Sequence, residues 1–152
     1  MFDSKMEHVC RLDYQLAEPE IIGPVGEGLR IITPIAGGEV SGLRLNGKIC
    51  PTGADWALIR RDGVVVIDVR ATLETNDGAL IQLTYTGRGD LGEGGYESFL
   101  RGDPVPVTEL QIVPVMQCAH PDYLWLDRPQ FVGVGAADLA NLKVSYDIYK
   151  LS

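Results

Sequence analysis

Two glycine-bearing turns, each flanked by alternating apolar residues, constrain this chain most. Val65, Ile67, Val69, Ala71 and Leu73 alternate with Val64, Val66, Asp68, Arg70, Thr72 and Glu74. Successive strand side chains point to opposite sides, so this stretch reads as one strand with an apolar and a polar face. Arg61-Asp62-Gly63 precedes it and Asn76-Asp77-Gly78 follows it. Both turns suit hairpins, because glycine takes positive φ without strain. Ala79, Ile81, Leu83 and Tyr85 carry the alternation into a third strand. Three strands joined this tightly form an antiparallel meander.

The same period recurs along the chain. His8, Cys10, Leu12, Tyr14 and Leu16 fall on one face of a first strand, which makes His8 a core histidine. Residues 29–35 form a second apolar run that Gly37-Gly38 punctuates, and residues 40–50 a third, broken at Gly42 and turned near Asn46-Gly47. Residues 96–101 read as one or two helical turns closed by Gly102 and Pro104. Strand character returns at 108–118, where Pro114 suggests an edge or a bulge. The segment Tyr123-Leu124-Trp125-Leu126-Asp127 reads as strand, with Tyr123, Trp125 and Asp127 on one face; residues 131–134 and 143–151 complete the set. Roughly nine strands at this spacing imply an all-β sandwich or barrel. Consecutive short-turn hairpins favour the barrel, since closure removes exposed edges. The expectation is a single-domain antiparallel β-barrel of about 8–10 strands over residues 1–152, with one short helix near 95–101.

Composition removes several classes of function. The formal charge is −8 with no Lys/Arg cluster, which argues against a nucleic-acid partner. Cys10, Cys50 and Cys118 are an odd number, widely spaced and without metal-ligand spacing. Buried free thiols in a reducing compartment are the expectation, with no disulfide and no metal. The first residues carry no apolar run and no stretch of 18 apolar residues occurs, so a cytoplasmic protein without a membrane partner is expected. No phosphate-binding loop, dinucleotide-binding glycine pattern or nucleophile elbow is present, so no cofactor is expected.

The candidate chemistry lies in a few polar positions. Pro51-Thr52-Gly53-Ala54-Asp55-Trp56 delivers an Asp-Trp pair from a glycine turn into a strand. Asp55 either stabilises that turn or acts as a general base raised by an apolar wall. Asp68 and Arg70 share a strand face: a solvated ion pair on one reading, on the other a desolvated pair in which Asp68 holds Arg70 against a ligand oxygen. His120 is a loop acid/base candidate, or simply a loop residue. Trp56, Tyr85, Tyr123 and Trp125 are aromatic walls, or ordinary core. Asp127 adds a third carboxylate.

Several of these segments together resemble the DUF3237 (UPF0311) family: residues 35–42, Gly47, 51–56, 68–73, 75–79, 123–127 and 131–135, in the expected order. The likeness spans about residues 8–151. It implies a small soluble calycin-like β-barrel and supplies no established activity. Family members usually carry Asn where this chain has Asp127, and Tyr where it has Ala71, which implies a more acidic and roomier pocket here. The likeness adds weight to Asp55, Asp68 and Arg70 as a site. The functional expectation is a cofactor-independent enzyme of the isomerase, lyase or cyclase type, acting on a hydrophobic, oxygenated metabolite. Asp55 or Asp127 would be the base, Arg70 with Tyr85 or Tyr123 would steady an oxyanion, and Trp56, Asp68, His120 and Trp125 would bind substrate. The alternative is a non-catalytic carrier or sensor of an apolar molecule. Apolar residues on outer faces could also support a homodimer.

Overall fold

The structure is a computed structural model describing residues 1–152. Ten strands pair antiparallel: β1 (Met6–Leu16), β2 (Glu20–Val25), β3 (Gly28–Ser41), β4 (Gly47–Ile49), β5 (Ala54–Ile59), β6 (Val64–Thr75), β7 (Leu80–Asp90), β8 (Thr108–Cys118), β9 (Phe131–Asp138) and β10 (Lys143–Leu151). The ring closes because β1 pairs with β10 on one edge and with β3 on the other. Around it run β1, β10, β9, β8, β7, β6, then a place shared by β4 and β5, then β3. β5 fills that place from Leu29↔Ile59 to Pro34↔Ala54 along β3, and β4 from Gly38↔Ile49 to Val40↔Gly47. β2 lies beyond the end of β1, paired along the start of β3. Eight places make a closed barrel whose interior is filled by side chains or holds one small ligand.

The two halves of the interior differ. At the end reached by the β6–β7 hairpin, Leu45, Leu73, Ile81, Met116, Leu126 and Phe131 are fully buried and close the barrel. At the other end the wall is capped by helix α1 (Gly95–Leu100), whose Tyr96 packs with Leu29, Ile31 and Ile59. No helix is long and apolar enough to cross a membrane.

Four local expectations are corrected. His8 faces outward: a register shift between His8 and Cys10 turns the strand, so Val9 and Cys10 are both buried while His8 meets Asp147 at 3.0 Å on the outside. Gly37-Gly38 does not end a strand, because β3 runs straight through it. The segment Pro121–Asp127 is a 3-10 helix rather than a strand. Pro121 sits at its first position, where a missing N–H costs nothing, and the His120 ring accepts the Asp122 amide hydrogen bond. Only Cys10 is a fully buried thiol, held up at about 12 chiefly by burial; Cys50 and Cys118 are partly exposed. Pro114 lies just past the last β8–β9 pair, Ile112↔Gly133, so β8 has one strand neighbour there, as an edge proline requires.

Candidate functional site

The Gly53 turn places the one carboxylate that reaches the interior. Gly53 has φ +85°, and a Cβ there would overlap the Arg70 carbonyl oxygen, so the turn needs glycine to lie against β6. Its carbonyl accepts the Ile35 N–H at 3.1 Å, fixing it to β3 as well. Ala54 and Asp55 then pair with Arg70 and Val69, after which the β5–β6 ladder opens and resumes only at Leu58↔Val66. Side chains satisfy the freed backbone groups: the Asp55 carboxylate accepts the Asp68 N–H at 3.0 Å, and Arg30 donates to the Trp56 carbonyl at 2.9 Å. Asp55 is therefore held at both ends.

The carboxylate lines a chamber of about 100 Å³ at the helix-capped end. Ile31, Ile67, Val69 and Leu110 form its hydrocarbon wall, while Leu91, Phe99 and Val105 sit at its mouth. Tyr14, Tyr85 and Tyr146 form its inner side, ring against ring edge, with centroids 6.2 Å apart for Tyr14–Tyr146 and 5.6 Å for Tyr85–Tyr146. Apart from these phenols, the polar side chains of the lining are Asp55, Thr33 and Thr108.

Burial sets the protonation of this site. It pushes Asp55 up from 3.8 to about 6, the Asp68 N–H pulls it part of the way back, and the nearby Asp68 carboxylate adds to the rise. Burial also holds all three phenols above the ordinary tyrosine range, and the Asp55 charge raises each further. The chamber thus offers one carboxylate that titrates near neutrality beside three hydroxyls that stay protonated.

The other sequence candidates lie elsewhere. Trp56, Asp68 and Arg70 point to the outer wall, where the Arg70 guanidinium stands 5.3 Å from the Trp56 ring centroid. Asp68 and Arg70 form no salt bridge, which corrects the expected desolvated pair; Arg70 is exposed. The Asp68 N–H holds the Asp55 carboxylate directly, while its side chain reaches the site only through its charge. Asp68→Ala should accordingly change stability by no more than about 0.5 kcal/mol, as an outer-surface substitution does, and a denaturation midpoint well below wild type would show a hidden partner.

Tyr123, His120, Trp125 and Asp127 gather at the closed end, away from the chamber. Tyr123 donates to Asp77 at 2.9 Å, the His120 ring packs on Tyr123, Arg44 covers the Trp125 ring at 3.9 Å and Asp127 is exposed. Donor atoms of Asp77, His120 and Asp122 come within 4.8 Å of one another. Asp77 already accepts from Thr75 and Tyr123, which lower its pKa, and His120 Nδ1 accepts the Asp122 amide, so these contacts knit the loop. Of the residues proposed from sequence, the chamber brings together Asp55 and Tyr85. It adds Tyr14 and Tyr146, whose signal was their place in the inward alternation of β1 and β10.

A family described as "Protein of unknown function (DUF3237)" matches residues 4–151. The chain belongs to the DUF3237 family. A UPF0311 protein of Rhodopseudomonas palustris is 32% identical over 135 residues, covering 86% of each chain. Another from Clostridium acetobutylicum is 28% identical over 149 residues, covering 96% of this chain and 93% of that one. Among solved structures, a β-barrel-like protein from Acinetobacter baumannii superposes with a TM-score of 0.85 at 30% identity, covering 100% of this chain and 98% of its own. An enzyme from Penicillium herquei shares the fold at a TM-score of 0.71 and 15% identity, over 100% of this chain and 97% of that one. The barrel fold is thus common to proteins of quite different sequence.

Proposed function

We propose that the chamber is the active site of an enzyme that moves a proton on a hydrophobic, oxygenated small molecule without a cofactor. The observation that carries this reading is Asp55: a carboxylate fixed at the wall of an apolar chamber and raised to about 6 by burial. A base works best when its pKa lies near the operating pH. Asp55 would take a proton from a carbon beside a carbonyl, the enolate oxygen would accept hydrogen bonds from the tyrosine hydroxyls, and the proton would return at another carbon. That sequence is an isomerisation; loss of a hydroxyl beta to the carbonyl as water, with the proton from Asp55, would make it a dehydration, and attack of the enolate on a second carbonyl of the same molecule, whose oxygen takes that proton, a cyclisation. The role first given to Arg70 passes to the phenols, since Arg70 faces outward. A barrel of this shape houses an enzyme in Penicillium herquei, so the architecture is compatible with catalysis, although fold alone does not assign chemistry. The second reading, a carrier or sensor of an apolar molecule, draws support from the hydrocarbon walls that make up most of the chamber.

The two readings part on proton exchange. Wild-type protein should speed deuterium incorporation beside the carbonyl of neutral cyclic ketones such as cyclohexanone in D2O, followed by NMR. The rate should climb as pH rises through about 6, where Asp55 ionises, and a positioned base contributes roughly 10²–10⁴-fold. Exchange no faster than in buffer, with the ketone bound, would leave the carrier.

A further inference from the structure

We infer that the hydroxyls of Tyr14, Tyr85 and Tyr146 form an oxygen-binding group that selects an uncharged, ring-sized ligand bearing a hydroxyl or carbonyl oxygen. This rests on reading the chamber as a ligand site and holds for an enzyme or a carrier alike. The first observation is the Tyr14 hydroxyl, which is shut off from solvent and has no hydrogen-bond partner. The Tyr85 hydroxyl is near enough to interact with it, yet the pair does not meet hydrogen-bond geometry at Tyr14. A buried hydroxyl left unpaired is rare and costs the fold stability, so each instance asks for a reason. A ligand oxygen bound at Tyr85 and Tyr146 would draw the trio together and engage the unspent donor.

The second observation is charge. No Lys, Arg or His lines the chamber, and its one ionisable acid is Asp55. A carboxylate or phosphate would enter an apolar space with no counter-charge and face a second negative group, which is strongly unfavourable. A bare hydrocarbon would fit the walls formed by Ile31, Ile67, Val69 and Leu110 but leave the hydroxyls unpaired. Size is the third consideration: a chamber of about 100 Å³ makes a single substituted ring the natural first probe. An uncharged phenol or cyclic ketone satisfies all three.

The test uses three ligands of matched shape: 4-ethylphenol, ethylbenzene and 4-ethylbenzoate, titrated at pH 7.5 into wild type, Tyr14→Phe and Tyr85→Phe and read by calorimetry or NMR shift changes. Tyr→Phe keeps ring packing, and thermal melts confirm that each variant is folded. Wild type should bind 4-ethylphenol at least tenfold tighter than ethylbenzene, with no detectable uptake of 4-ethylbenzoate. Each Phe variant should lose most of that preference while binding ethylbenzene as before. Equal binding of phenol and hydrocarbon by wild type, an unaltered preference in both variants, or uptake of the benzoate would overturn the inference and leave the chamber as a ligand site. Binding of none of the three would remove that underlying reading too.

Discussion

Asp55→Asn should yield a protein that melts higher than wild type at pH 7.5 and no longer exchanges protons on ketones. The native carboxyl titrates at about 6 and the unfolded one at 3.8. An acid raised by folding is a burden on the native state wherever it is ionised, and the burden fades as pH falls through 6 toward 3.8. At 1.36 kcal/mol per pH unit the difference is about 3 kcal/mol at neutral pH. Asparagine removes the charge yet keeps an oxygen to accept the Asp68 N–H. For a chain of this length about 2–4 °C accompanies each kcal/mol, so a rise of roughly 6–12 °C is expected. The gain should shrink at pH 4.5, where the native carboxyl is already protonated. Melting curves of both proteins at the two pH values test this, and a variant no more stable than wild type at pH 7.5 would mean that Asp55 carries no burial penalty. Stability gained as activity is lost is the mark of a functional group kept at a cost to the fold.

The parts of this arrangement visible in the sequence are those that period-2 alternation and turn chemistry control. The inward faces of β6, β7 and β8 follow from alternation alone, and the two hairpins from Asp62-Gly63 and Asp77-Gly78. Asp55 was legible because a glycine turn feeds it into a strand. The failures have equally local causes. Asp68 and Arg70 do share a face, but a charged pair on a half-apolar strand marks the outside of a barrel as readily as a site, and here it is the outside. His8 was misplaced by a one-residue register shift that no composition announces. Tyr123, Trp125 and Asp127 mimic strand alternation inside a 3-10 helix, whose short length leaves too few residues to tell a period of two from three. Tyr14 and Tyr146 carry no functional signal in the sequence, because a tyrosine in an apolar alternation looks like core; only the unpaired Tyr14 hydroxyl in the folded structure sets the trio apart.

Gly38→Ala should be among the most damaging single-methyl additions in the chain. β3 changes partners between Ile35 and Gly38, leaving β2 and β5 for β1 and β4, and Gly38 lies within the seam that closes the barrel. Gly38 has φ +153°, and a Cβ would overlap the Asp13 carbonyl oxygen across the seam while also pressing on the Ile49 side chain. Backbone cannot yield as a flexible side chain can, so β1 must part from β3 or residue 38 must leave its positive φ. A loss of about 3 kcal/mol or more is expected, in the range reserved for strain at special backbone positions. Gly78→Ala is the control: it has φ +88° but nothing within 4 Å of the added methyl, so it bears conformational strain alone, about 1 kcal/mol. Urea denaturation separates the two, and equal midpoints would show that the seam tolerates a side chain. The consequence reaches the chamber, because Tyr14 is the residue paired with Gly38. A seam forced apart shifts the Tyr14 ring from Tyr146, so Gly38→Ala protein that still folds should lose its preference for 4-ethylphenol over ethylbenzene, although every chamber residue is unchanged.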